Sequence, residues 1–234
     1  MGTRGFGGKA EGLAVMAEMP DEETAGTRIV FYGRRKGKKL SAAKQGLIDG
    51  LLPAVEFKGV EKGRESWLEI GFGGGEHVAH LARANPQVNI IGAEVFINGT
   101  ASLLGLVRKD GLENVRIIPG DVRLHWDKFP DKTISRFFVL YPDPWPKARH
   151  VARRFINPGN MKQMSRIAAK GAELYIASDC DFYIDWARQV MSGFDNMAKV
   201  HDSTRPFKDW APTRYELKAR EADRVCQYLC YEFR

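Results

Sequence analysis

Apolar and polar positions along the chain fall into short blocks that switch between two periods. Leu68-Glu69-Ile70, Asn89-Ile90-Ile91-Gly92-Ala93-Glu94-Val95, Val115-Arg116-Ile117-Ile118 and Ser135-Arg136-Phe137-Phe138-Val139-Leu140-Tyr141 are short runs rich in β-branched and aromatic residues, the composition of buried strands. Segments with helical spacing lie between them, from His77 to Ala84 and from Asn98 to Asp110, the latter stopped by Gly111. Alternation of this kind from about Trp67 to Ala177 predicts an α/β fold, a doubly wound and mostly parallel sheet with helices on both faces. A last run, Val225 to Phe233, predicts a C-terminal antiparallel strand. Upstream, a short helix is expected over Leu40 to Leu52, with Ser41 as its N-cap and Pro53 as its end. Residues 1–27 are rich in Gly, Thr, Ala and Glu without periodicity and are expected to be a flexible N-terminal tail. That leaves 28–234 as one domain, long enough to bury a full core.

Ligands of such sheets lie outside the carboxyl ends of the strands, and the chain places acids there. The first strand ends in Leu68-Glu69-Ile70-Gly71-Phe72-Gly73-Gly74-Gly75-Glu76. A dinucleotide turn counted from Gly71 needs glycine at 76, where Glu76 would confront a pyrophosphate. The observed spacing suits a cofactor with positive charge and no phosphate, namely S-adenosylmethionine, whose ammonium and sulfonium Glu69 and backbone carbonyls can meet. Gly71 and Gly73 let the main chain lie against such a ligand. Glu94 stands 21 positions after Gly73, the interval at which these folds set a carboxylate on ribose hydroxyls. Asp121 follows the third strand, so three successive strand ends carry an acid, although each is also a residue type that serves as an N-cap or turn.

Composition narrows the class. With 36 Lys and Arg against 29 Asp and Glu, the formal net charge is +7. One basic cluster contains Arg28, Arg34-Arg35-Lys36 and Lys38-Lys39, interleaved with Phe31 and Tyr32; the other runs from Lys147 through Arg149, His150, Arg153 and Arg154. The second adjoins the candidate site, where positive charge steers a polyanion. No apolar run approaches the roughly 18 residues of a membrane span, so no membrane association is expected. Cys180, Cys226 and Cys230 are odd in number and form no C-x-x-C pair, which suggests reduced thiols and a cytoplasmic protein. No metal cluster is expected, and His77 with His80 suggests a solvated helix face.

The fourth strand runs into Pro142-Asp143-Pro144-Trp145-Pro146. Three prolines stiffen this loop and present Asp143 and Trp145 at the carboxyl edge, either to grip a substrate or as a packed connection. A carboxylate can accept from both the N1–H and the exocyclic amino group of guanine, a donor edge that adenine lacks.

Taken together, Leu68-Glu69-Ile70-Gly71-Phe72-Gly73, Gly92-Ala93-Glu94-Val95, Tyr141 through His150, Ser178-Asp179 and Thr213-Arg214-Tyr215-Glu216 resemble the bacterial tRNA (guanine-N7-)-methyltransferases of the class I, Rossmann-like fold. The likeness extends from about Phe31 to the carboxyl terminus. It implies methyl transfer from S-adenosylmethionine to N7 of a guanine in the tRNA variable loop. The resemblance implies that Glu69, Glu94, Asp121 and Asp143 line the cofactor site; because the methylated ring is cationic, a carboxylate such as Asp143 or Asp179 would stabilise the developing charge, and Asp143 is the candidate catalytic residue. It implies that Lys147, Asp179 and Thr213, Arg214, Tyr215 and Glu216 contact substrate, and that Arg149, His150, Arg153 and Arg154 contact RNA. Ala93, Gly74 and Pro146 depart from the family pattern without removing a functional group. A monomer or homodimer is equally compatible. A small-molecule or protein methyltransferase would share the glycine turn and Glu94 without needing two basic clusters, whereas a non-catalytic RNA-binding module would not need the acids.

Overall fold

A computed structural model describes residues 37–208 and 210–234. The expected tail at 1–27 and the basic cluster at Arg28, Arg34, Arg35 and Lys36 with Phe31 and Tyr32 lie outside the described residues; Lys38 and Lys39 are exposed.

Strands β1 (Ser66–Ile70), β2 (Asn89–Ala93), β3 (Val115–Ile118), β4 (Ile134–Leu140), β5 (Ala168–Ser178), β6 (Met197–Ser203) and β7 (Gln227–Phe233) form one sheet in the order β3-β2-β1-β4-β5-β7-β6. The first five are mutually parallel, and β7 inserts antiparallel between β5 and β6. Parallel neighbours need crossover connections, which the helical blocks of the sequence supply. The helices are α1 (Ala42–Gly50), α2 (Leu52–Val55), α3 (Glu76–Ala84), α4 (Ile97–Asp110), α5 (Pro158–Ile167), α6 (Asp181–Met191) and α7 (Arg214–Glu221), of which α3, α4 and α5 link β1 to β2, β2 to β3 and β4 to β5.

Because strand side chains alternate between faces, the continuous apolar runs serve two cores. Trp67, Ile90, Ile117 and Phe138 pack on one face with Val78, Leu103, Leu104 and Leu47 from α3, α4 and α1. Their neighbours Leu68, Ile91, Ile118 and Phe137 are also fully or almost fully buried and occupy the other face. Local signals set the helix ends: Ser41 accepts from the Lys44 N–H, Asn157 caps α5 ahead of Pro158, and Gly111 closes α4 at φ +62°. Pro53 departs from expectation. It does not terminate α1 but sits in the first turn of the short α2, where its missing N–H would have had no helical partner. The edge strand β6 was not expected, since none of its residues is fully buried and its apolar signal is correspondingly weak.

Candidate active site

The strand order reverses at β1, which pairs with β2 on one side and with β4 on the other, so a crevice opens beyond their carboxyl ends. Gly71, Gly73 and Gly75 all have positive φ, at +74°, +57° and +81°, as the chain turns from β1 into α3. A Cβ on Gly73 would also stand 3.2 Å from the Tyr215 ring, so position 73 needs glycine for conformation and for space. A small cleft lies along this turn, lined by Glu69, Gly71, Phe72 and His77 and by Thr213, Arg214 and Tyr215 from the start of α7.

Glu94, one residue past β2, is buried and takes the Gly73 N–H on Oε2 at 2.7 Å and the Phe96 N–H on Oε1 at 2.8 Å. Burial raises its pKa, opposed by backbone N–H groups of Phe96, Gly73 and Val95; the negative charge of Asp143 adds to the rise. Each Glu94 oxygen has a further lone pair beyond its backbone contact, so the group can still accept hydroxyl donors. Glu69 is also buried, and its Oε2 lies 2.7 Å from Nδ1 of His77. Asp121, just beyond β3, caps the 3₁₀ turn Val122–Lys128 by accepting the Arg123 N–H at 3.0 Å, and it pairs with the Arg123 guanidinium at 2.7 Å. Two buried carboxylates beside a glycine cradle suit a cationic, phosphate-free cofactor.

The loop after β4 is held in an uncommon shape. Tyr141 and Trp145, which bracket Pro142-Asp143-Pro144, have φ of +50° and +44°, in the left-handed region that non-glycine residues rarely adopt. Asp143 is exposed between them. What over-determines the shape is Arg154. Its guanidinium donates to the Pro144 carbonyl at 3.2 Å and the Trp145 carbonyl at 3.1 Å, and it lies over the Trp186 ring at 5.0 Å and the Phe182 ring at 5.6 Å. Arg154 is buried, and burial lowers its pKa. Its neighbours in the cluster differ: Lys147 and Arg149 are exposed, while Arg153 lies over the Trp145 ring at 5.0 Å and His150 meets that ring edge-on at 5.6 Å.

The remaining sequence-selected residues divide between cleft and scaffold. Asp179, directly after β5, pairs with Arg224 at 2.6 Å. Thr213 caps α7 by accepting the Glu216 N–H at 3.1 Å, Arg214 pairs with Glu76, and the exposed Tyr215 lies on the glycine turn. Glu216 points the other way. It has no exposed surface and accepts from Trp210 Nε1 at 2.6 Å, from the Tyr228 hydroxyl at 2.7 Å and from Arg220.

Two residues of the cleft region were not legible in the sequence. His77 is buried and His80 half-buried, which corrects the expectation of a solvated face; α3 turns His77 toward the end of β1 because a buried carboxylate there supplies a partner. Trp210 gave no periodic signal, since it lies outside the helices and strands and packs on His77 from a distant part of the chain.

The chain is similar to known proteins over most of its length. Residues 64–228 match a family described as "Putative methyltransferase". The chain is 43% identical over 223 residues to a tRNA (guanine-N(7)-)-methyltransferase of Ruegeria pomeroyi, covering 86% of this chain and 93% of the relative. It is 44% identical over 213 residues to the protein of that name from Paramagnetospirillum magneticum, covering 83% and 89%. Among solved structures, the 16S rRNA methyltransferase KamB superposes with a TM-score of 0.54 at 14% identity, over 84% of this chain and 95% of that one. TrmN from Thermus thermophilus does so at 0.53 and 12% identity, over 82% and 48%. At these identities the structures are similar in fold.

Proposed function

The chain belongs to the tRNA (guanine-N(7)-)-methyltransferase family, and from that premise we propose that it transfers a methyl group from S-adenosylmethionine to N7 of a guanine in the variable loop of tRNA, in the cytoplasm. What supports this reading most directly is Asp143, presented by a stiff loop on the same crevice as the buried Glu94 and flanked by exposed cations. Bound S-adenosylmethionine supplies an electrophilic methyl group on a cationic sulfur. Glu94 is suited to its ribose hydroxyls, Glu69 to its ammonium, and Gly71 and Gly73 to close approach of the main chain. Asp121 keeps its Arg123 partner and would contribute from the crevice wall.

Guanine N7 has a free lone pair, so the site needs no strong base; it must orient the ring and stabilise the positive charge that the methylated ring acquires. Asp143 does both: its two oxygens accept from the N1–H and amino edge, and its charge opposes the developing cation. Lys147, Arg149 and Arg153 take phosphates, while Arg154, turned inward, keeps Asp143 in its pose. Thr213, Arg214 and Tyr215 cover the cleft, and Glu216 anchors them rather than meeting substrate.

Asp143→Asn tests this reading. Asparagine keeps the size but sets a donor against a donor edge and removes the countercharge, together worth ~3 to 4 kcal/mol in the transition state. Single-turnover methylation with saturating cofactor and tRNA should slow by a factor on the order of 100 to 1000, with tRNA affinity nearly unchanged because phosphates dominate it. A rate within about threefold of wild type, under 1 kcal/mol, would reduce Asp143 to a loop residue. Mapping the methylated nucleotide on bulk tRNA identifies the target base independently.

A further inference from the structure

His77 is among the most deeply buried polar groups beside the cleft. Its side chain and that of Glu69 are each 3% exposed, and their Nδ1 and Oε2 atoms are 2.7 Å apart. A carboxylate oxygen serves as acceptor here when the imidazole carries its proton on Nδ1. Aromatic walls fix the ring: Phe138 meets it edge-on at 5.2 Å and Trp210 lies tilted at 5.0 Å. Trp210 in turn donates to Glu216 at 2.6 Å, and the Glu216 N–H closes the Thr213 cap. Contacts therefore run unbroken from the carboxylate at the end of β1 to the turn that covers the cleft. Both ends of this chain line the same cleft.

We propose that His77 is a positioning residue, which fixes the Glu69 carboxylate for the ammonium of the cofactor and, through Trp210, ties that placement to the docking of the Thr213–Glu216 turn. Histidine fills this role for a stated reason. A buried acid left without a donor would turn toward any available N–H or take up a proton, and either change would weaken its hold on a cation. The role is not catalytic, since His77 contacts Glu69, a carboxylate assigned to the cofactor ammonium and not to the reacting ring. It rests on the reading of Glu69 as a cofactor contact.

The test uses the full chain and S-adenosylhomocysteine, which keeps the ammonium and ribose, with affinity measured by calorimetry without tRNA or turnover. Glu69→Gln examines the premise and should weaken binding; unchanged affinity would remove Glu69 from the site and the proposal with it. His77→Leu retains bulk without a donor and should weaken binding by about tenfold or more, whereas His77→Asn, whose amide nitrogen can stand near the place of Nδ1, should stay within about threefold of wild type. The Glu69→Gln, His77→Leu double variant should bind no more weakly than Glu69→Gln alone, because the two changes remove one shared interaction. Equal losses in the Leu and Asn variants, an unaffected Leu variant or additive losses in the double variant would overturn the positioning role while leaving Glu69 in the site. Should the Leu variant not fold, ¹⁵N-histidine spectra of the wild-type chain decide: the His77 Nδ1–H signal should be present and move when S-adenosylhomocysteine is added, and an unmoved or absent signal counts against the proposal. Trp210→Phe keeps a ring but loses the bond to Glu216. It should weaken binding by about threefold or more and speed amide exchange over 214–221, and unchanged affinity would overturn the link to the turn.

Discussion

Glu94 illustrates how one carboxylate serves two opposed requirements. Burial and the charge of Asp143 raise its pKa in the folded chain, so its ionised form costs stability at neutral pH. As pH falls through the raised folded value toward the ordinary unfolded one, the folded state takes up the proton first and gains stability; below the unfolded value the gain is complete. Ribose recognition runs the other way, because the protonated acid loses acceptor strength. We therefore expect S-adenosylhomocysteine affinity to decline on acidification with a midpoint above the usual glutamate value. Unfolding by denaturant over the same interval should show the wild-type chain gaining stability relative to Glu94→Gln as pH falls. Calorimetry and denaturation on the two proteins measure both, and parallel pH trends would contradict the assignment.

At the level of elements, α7 and the loop after β4 are held in place by hydrogen bonds within the protein. The first turn of α7 depends on Thr213 as cap and on Glu216 as anchor to Trp210, Tyr228 and Arg220. Thr213→Ala should cost about 1 kcal/mol of stability. Glu216→Ala leaves an indole N–H, a buried hydroxyl and a guanidinium without their acceptor and should cost about 3 to 5 kcal/mol. Denaturant titration separates the two, and similar small losses would show that Glu216 does not bind α7 to β7. The motif Thr213-Arg214-Tyr215-Glu216 was legible in the sequence as a unit, yet the chain alone could not tell which members face the cleft. Helical geometry projects adjacent residues in different directions, and the partners that bury Glu216 lie at positions 210, 220 and 228.

Over the whole molecule, a net charge of +7 favours a polyanionic partner, but only charges able to reach phosphates contribute to its salt dependence. Neutralising Lys147, Arg149 and Arg153 together should lower the slope of log affinity against log salt by about 2 to 3 for tRNA, with cofactor affinity spared. Arg154→Gln should leave that slope nearly unaltered while slowing methylation and lowering the melting temperature, since its guanidinium holds the Pro144 and Trp145 carbonyls. A slope change for Arg154 equal to that of Arg149 would mean that the loop opens to expose it in the complex.

Periodicity alone determined the alternating α/β order, the parallel core and most element ends, because apolar spacing and Gly, Ser and Pro punctuation are local physical signals. The acids at the strand ends, the glycine turn and the stiff loop were equally legible, since close approach, charge and rigidity each demand particular residue types. Tertiary structure alone decided which like residues do unlike work. Arg154 turned inward beside outward Arg149, Glu216 became scaffold beside Tyr215, and His77 met Glu69 instead of solvent. Burial, hydrogen-bond partner and aromatic contact come from other elements across turns and loops, and no spacing along one segment records them. The edge strand β6 belongs with these, because a strand without buried residues is specified by the β7 backbone it pairs with rather than by its own pattern.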